Sequence, residues 1–243
     1  MSGQVATTQW SRVLAARDGT DSEARAALEF LIRTYWEPLY AFIRSRGHDP
    51  DEASDLTQAF FTDLLERKAL AHVDPEKGRF RSFLLASLRN FLSHERDHRQ
   101  AIKRGGATFT DSLDIEAGER RYAKHLTDGQ TPDDVFERRW AMTVLDRAIE
   151  RLSREAAEAS SDGHFDELRP YLTSREPGLP YRELATELGL SESAIRVAVH
   201  RLRKHYGDCL RAEIADTVAD PAEIDDEVRH LLTSLRPKPA ARM

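Results

Sequence analysis

Apolar residues recur at every third or fourth position through most of the chain, which is the spacing of one face of an α-helix. No segment shows the strict alternation of apolar and polar residues that predicts a β-strand. The pattern therefore predicts an all-α fold. The expected helices cover residues 7–17, 22–46, 50–68, 80–104, 132–154, 165–172, 181–188, 191–214 and 224–235.

The segment from Tyr181 to Lys204 has the most specific pattern, because two amphipathic helices flank a glycine. Gly189 stands where a helix C-terminus favours a left-handed residue, and Ser191 is a good N-cap for the second helix. This arrangement predicts a helix-turn-helix, whose second helix lies in the major groove of DNA. An ordinary helical hairpin inside a protein core would show the same apolar spacing.

The composition indicates a hydrophilic protein whose charges are unevenly distributed. Of its 243 residues, 40% are hydrophobic and 32% are charged, and the formal net charge is -6. The mean hydropathy is -0.59. Seven Lys or Arg and two acids lie between 79 and 104, eight acids and four bases between 105 and 138, and five bases and one acid between 195 and 211. Two basic modules thus flank an acidic connector.

The class of protein is narrowed further by what the sequence lacks. No apolar run approaches the roughly 18 residues of a membrane span. The start, MSGQVATTQW, has neither the basic nor the apolar segment of a secretory signal. Cys209 is the single cysteine, which excludes a disulfide framework and a multi-cysteine zinc site. We expect a cytoplasmic protein without membrane attachment, metal or cofactor.

The changes in apolar periodicity and charge predict two small helical domains joined by an acidic linker and followed by a C-terminal helical extension. The helix expected at 224–235 in the extension could cover the second domain, dock on the first as an autoinhibitor, or bind a partner. Packing on its own domain is the default expectation. The predicted boundaries are 1–21 for an N-terminal helix, 22–104 for the first domain, 105–131 for the linker, 132–215 for the second domain and 216–243 for the extension.

Several motifs occur in an order that resembles the extracytoplasmic-function sigma factors of the sigma-70 family. The stretch ARAALEFLIRTYWEPLYAFIRSRG resembles region 2.1, and the segment 181–204 resembles region 4.2. The likeness covers about residues 22–104 and 136–212. The residues that match the patterns of regions 2.2 and 2.3–2.4 are Asp55, Leu56, Gln58 and Phe61, and Phe80, Phe83, Leu84 and Asn90.

The resemblance implies a protein that performs no bond chemistry but gives core RNA polymerase its promoter specificity. The first domain would be region 2, which binds core polymerase and the -10 element, and the second would be region 4, which binds the -35 element. The chain is longer than the minimal members of the family. Such extended members resemble subgroups controlled by protein kinases, so an anti-sigma factor or a protein kinase is a further expected partner.

Residues for the two DNA contacts follow from this resemblance. Arg196 is the best candidate for a bidentate contact to guanine, since its guanidinium fork fits O6 and N7. The aromatic rings in the 80–91 segment could stack on bases, but their spacing favours the core. The -35 candidates are Ser191, Ser193, Arg196, His200, Arg201, Arg203 and Lys204. The -10 candidates are His72, Asp74, Lys77, Arg79, Arg81, Arg89, Asn90, Arg96 and Arg99.

The helix from 51 to 65 would bind the largest polymerase subunit through polar and acidic groups. Its candidates are Asp51, Glu52, Asp55 and Gln58. The family often has a further acid where Ser54 stands. Phosphorylation adds about -1.5 to -2 charge, so we treat Ser54 and Thr57 as candidate phosphosites that would complete the acidic face.

Two other functions remain open at this point. A stand-alone regulator would use the helix-turn-helix to bind DNA without polymerase. A zinc hydrolase would use His94, Glu95 and His98, because H-E-R-D-H fits the template in which two histidines bind zinc and the glutamate acts as base.

Overall fold

The computed structural model describes residues 21–66, 79–101, 129–158, 164–172, 179–215, 218 and 220–236. These residues form helices and connecting turns with no β-strand among them, which confirms the predicted all-α fold. The α-helices are α1 (Asp21–Ser45), α2 (Pro50–Glu66), α3 (Phe80–Ala101), α4 (Pro132–Glu158), α5 (Phe165–Leu168), α6 (Tyr181–Leu188), α7 (Glu192–Ala215) and α8 (Ile224–Ser234). Short 3-10 helices cover Arg169–Tyr171 and Pro221–Glu223.

Three predicted features lie outside the described residues. They are the helix at 7–17, most of the linker at 105–131, and the loop that carries His72, Asp74 and Lys77. None of the described helices is long and apolar enough to cross a membrane.

The chain divides into two compact units. The first unit is Met1–Thr143 together with Ala215–Met243, and the second is Val144–Ile214. Helix α4 contributes its beginning to the first unit and its remainder to the second. The first unit therefore contains α8, which lies in the predicted extension, and the start of α4, which lies in the predicted second domain.

Aromatic side chains fill the centre of the first unit. The rings of Tyr35 on α1 and Phe80 on α3 meet edge to face, with centroids 5.6 Å apart. Phe60 on α2 and Phe91 on α3 form a similar pair at 5.7 Å. These pairs join α1, α2 and α3 through the positions that the helical periodicity predicted as apolar, and both Phe80 and Phe91 are buried.

Local capping interactions explain where helices begin. Asp49 accepts a hydrogen bond from the backbone N–H of Glu52 through its carboxylate, at 2.8 Å, and starts α2. Thr131 and Asp134 form a reciprocal capping pair at the start of α4. Helix α4 continues four residues beyond the predicted end at Arg154, to Glu158.

The second unit has two neighbouring apolar clusters. In one, Ile195 and Val199 of α7 pack on Leu184 and Ala185 of α6. In the other, Ala148 and Leu152 of α4 pack on Cys209 of α7, so this cysteine is a buried small residue as expected.

The helix predicted over 165–172 is shorter than expected. Only Phe165–Leu168 is α-helical, and Arg169–Tyr171 forms a 3-10 turn. Pro170 supplies the physical reason, because it has no backbone N–H to continue the α-helical hydrogen bonds.

Candidate nucleic-acid interface

The turn between α6 and α7 has the predicted geometry. Gly189 has φ 65° and ψ 27°, a left-handed conformation that glycine adopts at low cost. The backbone N–H of Leu190 bonds to the carbonyl oxygen of Ala185 at 2.9 Å, as in a Schellman helix end. The Ser191 hydroxyl accepts a hydrogen bond from the backbone N–H of Ala194 at 3.1 Å, which caps α7.

Packing fixes which side of α7 is accessible. Ile195 is fully buried and Val199 is 2% exposed, so their side of the helix faces α6. The predicted -35 residues all lie on the exposed side or at the exposed N-terminus of α7. They are Ser191, Ser193, Arg196, His200, Arg201, Arg203 and Lys204.

Arg196 already has an acidic partner on its own helix. Its guanidinium group donates to the Glu192 carboxylate at 2.6 Å, one turn earlier. The hydrogen bond to Glu192 raises the pKa of Arg196, and the guanidinium lies 5.9 Å from the ring centroid of Tyr181. Water screens an exposed ion pair of this kind, so a guanine or a phosphate can displace Glu192.

Arg203 is tied to the neighbouring turn instead. Its Nε donates a hydrogen bond to the backbone carbonyl of Tyr171 at 2.9 Å. Ser191 and Ser193 share a hydrogen bond between their hydroxyl groups at 3.0 Å. The two serines and the backbone N–H groups of the first turn of α7 form a polar helix N-terminus of the kind that binds phosphate.

Arg81 differs from its predicted role as a phosphate contact. It is only 3% exposed, and its guanidinium group faces the carboxylates of Glu137 on α4 and Glu227 on α8. It also lies over the ring of Trp140, 4.3 Å from the centroid. A DNA phosphate cannot reach Arg81 in this arrangement, because its side chain is buried and its guanidinium group already lies against two carboxylates.

Arg79 lies next to the same Glu227 carboxylate as Arg81. Its Nε lies 3.0 Å from the Glu227 carboxylate, which is fully buried, while Arg79 itself is one-third exposed. His230 lies next to this group, with its Nε2 3.0 Å from the Glu137 carboxylate. These five side chains, Arg79, Arg81, Glu137, Glu227 and His230, are called the α3–α8 charge cluster below.

Burial and charge act in opposite directions on the ionisable groups of the α3–α8 charge cluster. Burial lowers the pKa of Arg81, and the Glu137 carboxylate counters part of that effect. Burial alone would raise the pKa of Glu137. The hydrogen bond with His230 and the charge of Arg81 outweigh burial and hold the pKa of Glu137 below its ordinary value. The described geometry therefore favours charged Arg81 and Glu137 together.

The other described -10 candidates are more accessible. Arg89 is exposed and pairs with Asp133 at the start of α4, and Asn90 and Arg96 are exposed on α3. Asn90 lines an open groove between α2 and α3. The side chain of Arg99 lies outside the described residues. Phe80 and Phe91 are core residues, and Phe83 is half-buried, as the spacing favoured.

The predicted polymerase-binding residues on α2 differ in how exposed they are. Asp51 and Asp55 are exposed, whereas Glu52 and Gln58 are half-buried. Glu52 lies 2.9 Å from His48 Nδ1.

The two candidate phosphosites are in the interior of the first unit. Ser54 is 2% exposed, and Thr57 is fully buried and donates its hydroxyl hydrogen to the carbonyl of Ala53 at 2.6 Å. A kinase would have to open α2 locally to reach either hydroxyl, so the phosphoswitch stays a prediction that requires such opening.

The described residues of the candidate zinc-hydrolase motif, His94 and Glu95, do not belong to a described group of metal-ligand atoms. His94 is exposed and Glu95 half-buried on α3, but the side chain of His98 lies outside the described residues. Among the described residues, the grouping of metal-ligand atoms lies elsewhere, in the second unit.

Sequence reasoning missed Glu137, Glu227 and His230. A signal for Glu227 was present, because this acid lies three residues after Ile224 and four before Leu231, within the apolar face of α8. A charged residue in such a stripe indicates a buried partner of opposite charge.

Comparison with known proteins agrees with the first unit. Residues 31–101, from α1 through α3, match the family model described as Sigma-70 region 2. No curated protein and no solved structure matches the chain. The matched region supports a sigma-70 family sigma factor with a role in promoter recognition and RNA polymerase binding.

Proposed function

We propose that this chain is an extracytoplasmic-function type of sigma factor that reads two promoter elements. In this proposal α2 binds core RNA polymerase, α3 contacts the -10 element and α7 reads the -35 element. The observation that carries the proposal is the Sigma-70 region 2 match over 31–101, because that region combines polymerase binding with promoter contact.

The second unit supports the -35 assignment by its geometry. The turn at Gly189 and the cap at Ser191 set the start of α7 with its serines and Arg196 exposed. The apolar positions on the opposite side of α7 are buried, so the exposed side can enter a major groove without disturbing the core. Arg196 would then exchange Glu192 for a guanine edge.

The first unit narrows the -10 assignment. Arg81 serves the structure of the α3–α8 charge cluster, and Arg79 shares Glu227 with it. Among the candidates that the structure describes, contacts to DNA phosphates would therefore fall to Arg89 and Arg96. Asn90 lies beside the groove between α2 and α3. Among the described residues Arg89 pairs with Asp133, which is exposed and which a phosphate can replace.

The experiment that tests the function is in vitro transcription with purified core polymerase and a pooled promoter library. A sigma factor yields specific transcripts that disappear when this protein is omitted. Arg196→Ala should reduce transcripts from promoters with the preferred -35 element, whereas Arg33→Ala, an exposed arginine on α1 paired with Glu29, serves as the matched control.

Other outcomes separate the alternatives. Specific DNA binding without any binding to core polymerase would favour the stand-alone regulator. Binding to core polymerase without transcripts would point to a missing activation step. Binding neither to core polymerase nor to DNA would refute both assignments.

A further inference from the structure

Three metal-ligand atoms converge between the C-terminal parts of α4 and α7, within the second unit. His205 Nε2 lies 2.7 Å from Glu155 Oε2, and Cys209 Sγ lies 3.6 Å from the same oxygen. All three ligand atoms are within 4.8 Å of one another. His205 and Cys209 are one turn apart on α7, and Glu155 reaches them from α4.

The residue types suit a thiophilic divalent ion. Zinc binds cysteine sulfur at about 2.3 Å and histidine nitrogen or carboxylate oxygen at about 2.0–2.2 Å. With these bond lengths, two ligands of one tetrahedral ion lie about 3.4–3.6 Å apart. The Cys209–Glu155 distance already has this value. Side-chain rotations that widen the 2.7 Å His205–Glu155 distance to make room for the ion would bring all three atoms onto it.

The surroundings of Glu155 favour this use of its second oxygen. Arg151 donates from Nε to Glu155 Oε1 at 2.9 Å, which orients the carboxylate and leaves Oε2 directed at His205 and Cys209. Hydrogen bonds of this kind to a ligating carboxylate are typical of metal sites. The positive charge of Arg151 is shared with Glu213, 3.7 Å away.

One of the three ligands is buried and another is half-exposed, so an ion could reach the site from solvent. Cys209 is 2% exposed and packs against Ala148 and Leu152 of α4. His205 has about half of its side chain exposed, at 47%. An ion can therefore approach past His205, and a water molecule can occupy a fourth position.

We propose that Glu155, His205 and Cys209 bind one Zn²⁺ ion that joins α4 to α7. His205 directly follows Lys204, the last of the -35 candidates, and Cys209 lies one turn further along the helix. The ion would therefore fix the part of α7 that follows the proposed DNA-reading surface. The site is separate from the His94, Glu95 and His98 motif, and it departs from the sequence-based expectation that the protein binds no metal. The proposal is independent of the sigma-factor assignment.

The test is a titration of the full chain, without a polyhistidine tag, with Co²⁺ as a spectroscopic substitute for Zn²⁺. The wild type should bind one equivalent and develop a sulfur-to-cobalt charge-transfer band with the intense visible bands of a tetrahedral site. Added Zn²⁺ should bleach these bands and raise the melting temperature. Cys209→Ser should lose the charge-transfer band, and His205→Gln should weaken binding.

The controls make the outcome decisive. His94→Ala changes the other candidate zinc motif and should leave the spectrum unchanged. His205→Gln alters a half-exposed side chain, so it remains informative if Cys209→Ser fails to fold. A wild type without the charge-transfer band, a band that persists in Cys209→Ser, or a band lost in His94→Ala would each overturn the proposal.

Discussion

Glu227 offers the sharpest test of how the first unit is held together. Its carboxylate is fully buried on α8 and lies against the guanidinium groups of Arg79 and Arg81. Glu227→Gln keeps the size of the side chain but removes the negative charge. Arg81 then remains buried with Glu137 as its remaining carboxylate partner.

The magnitude follows from the exposure of the three partners. Removing one partner of a buried ion pair costs about 3–5 kcal/mol, because the other charge remains buried. Arg79 is 33% exposed and can turn towards water, so its share is small. Arg81 is 3% exposed and cannot. We therefore expect a loss near the lower end, about 3 kcal/mol of the unfolding free energy of the first unit.

The assay is urea unfolding followed by tryptophan fluorescence. Trp36 and Trp140 are buried in the first unit, and the second unit, Val144–Ile214, contains no tryptophan in its sequence. The change in emission of these two buried side chains therefore reports on the first unit. With a slope of about 2 kcal/mol per molar urea, the expected loss lowers the midpoint by about 1.5 M.

The matched control is Asp226→Asn, one residue earlier on α8. Asp226 is exposed and pairs with exposed Arg229 at 2.5 Å, so its loss should cost less than about 0.5 kcal/mol. If Glu227→Gln shifts the midpoint no more than Asp226→Asn, the α3–α8 charge cluster does not stabilise the first unit and the reasoning fails.

Three further predictions concern the turn, the pH dependence and the DNA contact. Gly189→Ala places a Cβ at φ 65° and should destabilise the second unit by about 1–2 kcal/mol. Gly207→Ala lies inside α7 with nothing within 4 Å of the added Cβ, so it should stabilise the unit by up to about 1 kcal/mol. Hydrogen exchange of α6 and α7 measures both changes, and equal effects would contradict the assignment of strain to the turn. The pKa of Glu137 is held below its ordinary value, so its contribution to stability is present above that ordinary value and is lost as the pH falls through the lowered pKa. The urea midpoints of wild type and Glu137→Gln should therefore converge as the pH falls below the ordinary carboxyl range, and a difference that stays constant with pH would refute this. Arg196→Ala should remove about 1–3 kcal/mol of DNA-binding free energy at one base pair of the -35 element and relax specificity there. Lys204→Ala should weaken binding to all sequences alike. Competition binding to single-base promoter variants distinguishes the two, and a uniform loss for Arg196→Ala would show that it contacts a phosphate.

The sequence was sufficient for features that depend on neighbouring residues. The left-handed Gly189, the Ser191 cap and the start of α4 at Pro132 each follow from interactions within one helical turn. The apolar stripes likewise predicted the buried faces of α1, α2, α3 and α7. The Sigma-70 region 2 match over 31–101 falls inside the domain predicted at 22–104.

The pairing of charges could not be predicted, because it joins residues far apart in the chain. Arg81 and Glu227 are 146 positions apart, and nothing in the local pattern of α3 indicates that this arginine, and not Arg89, is buried. The Glu155, His205 and Cys209 constellation is non-local in the same way. A count of basic residues along α3 therefore overstates the positive charge that this helix exposes.

The predicted DNA-contacting arginines fall into two kinds, those in exposed ion pairs and the buried Arg81. Arg89 and Arg196 pair with acids at exposed positions where water screens the attraction, so a phosphate or a guanine can replace those acids at little cost. Arg81 pairs with the buried Glu227, and withdrawing it would leave that carboxylate in the interior with the partly exposed Arg79 as its remaining partner. Promoter binding would therefore use the first kind of arginine and leave the second in place. The acids Asp133 and Glu192 would then act as exchangeable partners that keep the basic side chains oriented until DNA replaces them.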